Sequence, residues 1–105
     1  MTGPQPPLTA QSPGHCQVEL YGPARLAAGV KQVSIPVGEG LSLAQLVRAL
    51  AARCPALVGS VVDPERGALL DGYIFNRNGR DFLARPDALV RPGDRVLLLA
   101  STAGG

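Results

Sequence analysis

The stretch LSLAQLVRALAARCP, Leu41 to Pro55, constrains the fold more than any other part of the chain. Ser42 and Gln45 stand at the spacing of a capping box, in which a hydroxyl accepts the N–H three residues on and that residue's side chain returns to the cap. Leu41 and Leu46 hold the flanking hydrophobic staple positions. From there Leu43, Leu46, Val47 and Leu50 form one apolar stripe at three-and-four spacing, Arg48 and Arg53 lie off it, and Pro55 ends the run. A helix with one apolar stripe needs another layer to bury it, and the rest of the chain reads mainly as short extended segments. The expectation is an α+β fold, one main helix packed on a mixed sheet.

The extended segments can be placed individually. Val18 and Leu20 alternate with Gln17, Glu19 and Tyr21, as in a strand with one buried face. After Gly22-Pro23, the short segment Ala24 to Gly29 leads to Lys31–Val37, where Val33, Ile35 and Val37 keep period two. Pro36 has no N–H for a ladder bond, so this second strand belongs at a sheet edge. Asn78-Gly79, between Tyr73–Arg77 and Arg80–Leu83, carries the signal of a two-residue hairpin turn. Arg85-Pro86-Asp87 and Arg91-Pro92-Gly93-Asp94 are turn chemistry around Ala88–Val90. The nearly all-apolar run Arg95–Ala100 suits a central strand. Residues 55–72 stay unassigned: Leu57, Val58, Val61 and Val62 suit a helical turn or a short strand, and Asp63-Pro64-Glu65-Arg66-Gly67 suits an exposed turn. Hairpin, helix, hairpin and final strand, with the last strand beside the first and the proline strand at an edge, is the ubiquitin-like β-grasp.

Composition narrows the function. A chain of 105 residues supports one core. Residues 1–16 begin with a proline-rich run that has no charged side chain before His15, and they read as a disordered leader. Residues 17–100 form the domain and 101–105 a flexible tail. A net charge of +2 with 17% charged residues gives no field for nucleic acid. No apolar run approaches the roughly 20 residues of a membrane span. No secretory signal opens the chain, so a cytoplasmic protein is expected. Cys16 and Cys54 have no CxxC spacing, and His15 is the only histidine, so no metal site is expected. Asp63, Glu65, Asp71, Asp81, Asp87 and Asp94 fall mostly in expected turns, and nothing joins a nucleophile to a base.

Four segments carry a family resemblance. VELYGPARLAAG, LSLAQLVRALAARCP, FNRNGRDF and LVRPGDRVLLLASTAGG resemble, in order, the first strand, helix, Asn-Gly hairpin and closing strand with terminal di-glycine of the MoaD/ThiS family of ubiquitin-like sulfur carriers. The match runs from about Gln17 to Gly105. The long connection GSVVDPERGALLDGYIF is similar to that of the longer carriers, including those serving cysteine biosynthesis and archaeal-type modifiers. Ser101-Thr102 stand where many molybdopterin synthase small subunits carry prolines.

The resemblance implies that the Gly105 carboxylate is adenylated by a ubiquitin-activating-type enzyme that consumes ATP. A persulfide donor then supplies sulfur, and the Gly105 thiocarboxylate passes it to an acceptor enzyme. The chain is then a protein cosubstrate with no bound cofactor, or the small subunit of a sulfurtransferase, and not an enzyme in itself. The alternative is a modifier joined to lysines through Gly105. Either chemistry suits Thr102, Ala103 and Gly104 as the part threaded into a partner, and at Gly104 and Gly105 a backbone without Cβ passes narrow walls. Docking also needs a surface. Phe75 with Leu97 and Leu99 is one candidate face, Val96 with Leu98 the other, and alternation leaves both open. Arg77, Arg80 and Arg95 suit a solvated face or salt links to an acidic partner.

Overall fold

The computed structural model describes residues 14–101. In chain order the elements are β1 (His15–Leu20), α1 (Gly22–Ala28), β2 (Gln32–Pro36), β3 (Leu41–Ser42), α2 (Leu43–Arg53), a 3-10 turn (Pro55–Leu57), β4 (Val62–Asp63), β5 (Ala68–Leu69), β6 (Tyr73–Arg77), β7 (Asp81–Leu83), β8 (Leu89–Val90) and β9 (Arg95–Ala100). The main sheet has five strands in the order β2-β1-β9-β6-β7. β1 and β9 run parallel and the other neighbours antiparallel. The closing strand therefore lies mid-sheet beside the first, and the Pro36 strand lies at an edge, as the sequence implies. Arg53 at the end of α2 donates from Nη1 to Ser34 O of that edge at 3.0 Å, which with Pro36 blunts it against further strand pairing.

The capping box of α2 forms in both directions: Gln45 N–H donates to Ser42 Oγ at 3.2 Å, and Ser42 N–H to Gln45 Oε1 at 3.1 Å. The stripe meets the sheet as its spacing requires, with Leu46 and Leu50 fully buried and Leu43 and Val47 nearly so. Burying each such leucine contributes about 1.5–3 kcal/mol. Cys16, Val18, Leu20, Ile35, Phe75, Val96 and Leu98 supply the opposing layer.

Three expectations change. The short segment after Tyr21 is a helix, because Pro23 sits in the first turn, where no N–H is needed, and Gly29 takes the left-handed conformation (φ 78°) that closes it. The leader does not extend to residue 16: His15 and Cys16 belong to β1, and Cys16 is buried. Residues 55–72 hold the 3-10 turn and the small hairpin β4–β5. That hairpin closes on the helix at Gly67, where a Cβ would come within 2.8 Å of Ala44 Cβ.

The fourth change concerns register. Asn78 and Gly79 both take positive φ, 55° and 73°, as the turn signal requires. Yet Arg77 pairs with Asp81, so the loop holds three residues and Arg80 is the extra one. Because side chains alternate faces, one added residue turns every side chain of β7 to the opposite side. A two-residue turn would align Phe82 with Phe75. Here Phe82 opposes Asn76, and Leu83 opposes Phe75.

Candidate functional site

Two features frame the site: the point where β9 releases the tail, and the sheet face opposite the one that α2 covers. β9 remains in the ladder to its last residue, with Ala100 opposite Tyr73. Ser101 N–H then donates to Gly72 O at 2.6 Å. On its other side, β9 is tied to the start of α1 through Tyr21 N–H to Leu98 O at 3.2 Å. The base of the tail is thus held by β6 and by the β1–α1 corner, which fixes where the tail starts. Thr102, Ala103, Gly104 and Gly105 lie outside the described residues.

The opposite end of β9 is anchored by the turn predicted there. Asn78 Oδ1 accepts from Arg95 N–H at 2.8 Å, and Asn78 N–H donates to Arg95 O at 2.8 Å. Asp94 Oδ2 accepts Arg91 N–H at 2.9 Å within its own turn. A strand fixed at both ends is a stiff mount for the tail.

Phe75 is not on the open face. It is 1% exposed and pairs with Leu98, so it points with Val96 and Leu98 toward α2. The expected grouping of Phe75 with Leu97 and Leu99 therefore divides, because antiparallel pairing puts Ile74 opposite Leu99 and Asn76 opposite Leu97. The open face carries Leu97 and Leu99 at its centre, Ile74 and Asn76 on β6, and Phe82 on β7. Phe82 is 63% exposed. It is an aromatic that sequence reasoning does not single out, because the extra loop residue that exposes it has no signature in composition or periodicity. Asn76 is 7% exposed, and its Oδ1 has no hydrogen-bond partner among the described residues.

A polar border closes this face on the β1 side. Arg95 donates from Nε to Glu19 Oε2 at 2.8 Å and from Nη2 to Glu19 Oε1 at 3.3 Å, and Tyr21 Oη donates to Glu19 Oε1 at 2.7 Å. Arg25 lies 5.3 Å from the centre of the Tyr21 ring. The Arg95 hydrogen bond, then that of Tyr21, holds the Glu19 carboxyl below its ordinary value. A carboxylate depressed on folding adds stability above its unfolded pKa and loses it as pH falls through the folded one. Glu19→Gln is therefore expected to lower the denaturant midpoint slightly at neutral pH and not at all below the folded pKa of Glu19, as checked by urea titrations across acidic pH. Arg77 bonds Asp81 at 3.0 Å and donates to Leu89 O at 2.7 Å, while Arg80 is exposed.

Four of the six acids that could have served an active site are occupied structurally. Asp63 Oδ1 accepts Glu65 N–H within its own turn, Asp81 pairs with Arg77, Asp87 with Arg85, and Asp94 caps its own turn. Burial, assisted by Asp94, pushes the Cys16 thiol up to about 11, and burial raises Cys54 as well, which makes both poor nucleophiles. Among the described residues no three His, Cys, Asp or Glu side chains gather as a metal site would require. No helix among them is long and apolar enough to cross a membrane.

The comparisons with known proteins agree with this architecture. The sequence profile of the ThiS family matches residues 18–105. SAMP1 from Haloferax volcanii superimposes with a TM-score of 0.73 at 26% identity, covering 88% of this chain and all (100%) of that one. A Pyrococcus furiosus protein assigned as subunit 1 of molybdopterin converting factor gives 0.60 at 21% identity, covering 82% of this chain and 95% of that one. Urm1 from Trypanosoma brucei gives 0.57 at 19% identity, covering 93% and 100%. No curated protein sequence matches the chain. With a profile spanning nearly the whole β-grasp domain and the closing strand at its centre, the chain belongs to the ThiS family.

Proposed function

We propose that this chain is a sulfur carrier that works through the carboxylate of Gly105. The oxygen of that carboxylate attacks the α-phosphate of ATP in the site of a ubiquitin-activating-type enzyme, forming an acyl-adenylate and releasing pyrophosphate. The outer sulfur of a persulfide donor then displaces AMP to give an acyl disulfide; a partner thiol attacks the donor's sulfur in that S–S bond, leaving a disulfide between the two and releasing the Gly105 thiocarboxylate, which delivers sulfur to an acceptor enzyme of cofactor or metabolite biosynthesis in the cytoplasm. The observation that carries this reading is the central strand β9, tied at Ser101 and followed by Thr102-Ala103-Gly104-Gly105. From Ser101, four further residues reach about 13 Å, enough to enter a channel in a docked partner.

The docking surface in this reading is the open face of Ile74, Leu97, Leu99 and Phe82, an apolar patch with a polar border. A partner N–H supplied near Asn76 would relieve an unsatisfied carbonyl, whose cost is about 1–3 kcal/mol. A second reading, conjugation to lysines through Gly105, is favoured by the likeness to SAMP1, a small archaeal modifier protein. Intact-mass measurement of the chain isolated from its own cells tests the two. The sulfur-carrier reading expects a species heavier by the exchange of one oxygen for sulfur, and that species disappears on alkylation of the thiocarboxylate. Conjugates with no such species would overturn it in favour of the modifier.

A further inference from the structure

The two edges of the main sheet are treated differently. At β2, Pro36 and the Arg53 hydrogen bond to Ser34 O stand in the way of another strand. β7, at the other edge, holds Asp81, Phe82 and Leu83 and carries no such guard. In an antiparallel ladder, alternate residues turn their N–H and C=O toward the same neighbour. Ser101 N–H donates to Gly72 O and Asn78 N–H to Arg95 O, so the even-numbered positions along β6 bond β9. Phe75 and Arg77 therefore bond β7, through Leu83 and Asp81. Phe82 is left with its N–H and C=O directed out of the sheet. Pro86 keeps Arg85 extended, and Ala84, continued in the same sense, points its backbone outward as well. Among the described residues no backbone group outside the ladder bonds Phe82 or Ala84, and both are exposed.

The edge is complementary to itself. A second β7 laid antiparallel against it can match the outward groups in three registers, centred on Phe82, Leu83 or Ala84. Centred on Phe82, Asp81 falls opposite Leu83 of the second copy. Centred on Ala84, Arg85 does so. Either leaves a charge against a buried leucine. Centred on Leu83, Asp81 falls opposite Arg85 of the second copy and Arg85 opposite its Asp81, while Phe82 falls opposite Ala84. Opposite charges directly across a strand pair stabilise it, and a large ring beside a small residue packs without a clash. Both charges are free to make the exchange. The side chains of Asp81 and Arg85 are 52% and 80% exposed, and their present partners, Arg77 and Asp87, hold them by surface ion pairs of little strength.

We propose that β7 is a self-pairing edge, through which two copies of the chain join about a two-fold axis at Leu83 into one continuous sheet. Phe82 and Ala84 exchange N–H and C=O with Ala84 and Phe82 of the second copy. The two Phe82 rings lie on the same face as diagonal neighbours about 7–8 Å apart, within reach of each other. The pairing is isologous and closes at the dimer. It does not depend on the chemistry of Gly105. Because it covers Phe82, self-association and the docking of a partner on the open face compete. Interfaces that bury less than about 1,200 Å² are weak and transient, so a dissociation constant on the order of 100 µM is expected.

Sedimentation of the full chain from about 10 µM to about 1 mM tests this, with the weight-average mass expected to rise from monomer toward dimer. Asp81→Arg sets arginine against arginine, and Arg85→Asp sets aspartate against aspartate. Each alone should weaken the dimer by roughly tenfold or more. An equimolar mixture of the two restores opposite charges at both ends of the pair, and dimer should return as a heterodimer. Amide hydrogen exchange in the parent chain gives a readout independent of the variants. Phe82 and Ala84 N–H should slow roughly fivefold at about 1 mM, where about four-fifths of the chain is paired. A parent that stays monomeric up to that concentration would overturn the proposal. So would single variants that pair as the parent does, a mixture that fails to restore pairing, or concentration-dependent protection confined to β2.

Discussion

Removing Gly104 and Gly105 is expected to reduce ATP–pyrophosphate exchange by the cognate adenylating enzyme to background, while leaving the denaturation midpoint unchanged. The loss of two residues withdraws the carboxylate by about 6–7 Å. A misplacement of about 1 Å at a reacting centre already costs on the order of 10²-fold in rate, so no residual turnover is expected. The fold tolerates the deletion because β9 is complete at Ala100 and its last ladder contacts are made by Ala100 and Ser101. Gly105→Ala should fall between the two, since the carboxylate stays in reach but a Cβ meets the channel wall. A shortened chain exchanging pyrophosphate at the parent rate would end the terminal-carboxyl reading.

Two phenylalanines on neighbouring strands are expected to behave in opposite ways. Phe75→Ala should cost about 3–5 kcal/mol of folding stability, since its ring is buried opposite Leu98 and its loss leaves a cavity under α2. Phe82→Ala should change stability by no more than about 0.5 kcal/mol, because its ring is mostly in solvent. Binding to the adenylating enzyme should reverse this order. An exposed aromatic on a docking face contributes about 2 kcal/mol or more, a loss of roughly thirtyfold in Kd. Urea titration and a binding isotherm on both variants decide the matter. Equal binding by Phe82→Ala and the parent would remove the open face from the interface.

The elements legible in the sequence are those whose signals are local. Ser42 and Gln45 make their reciprocal bonds, Pro36 keeps β2 at an edge, and the apolar run Val96–Leu99 occupies the middle of the sheet. Each follows from a property of a few neighbouring residues. Helix α1 is not legible in the same way because Gly22-Pro23 reads as a turn, although proline in a first turn and glycine at a left-handed cap also bound a short helix. Cys16 reads as leader because the composition shift that ends the leader is gradual, whereas pairing with Ile35 draws it into the core.

The sequence by itself determined a β-grasp with a stiff closing strand running into Ser-Thr-Ala-Gly-Gly, because caps, periodicity and turn residues act over a few positions. Which aromatic faces a partner was decided only by the tertiary structure. Val96 to Leu99 are apolar on both sides, so alternation alone gives no inside or outside, and the choice falls to α2 covering the side that carries Phe75, Val96 and Leu98. Phe82 reaches the other side because Arg80 adds a residue to the loop, and a strand's side chains change faces with every single-residue shift in register.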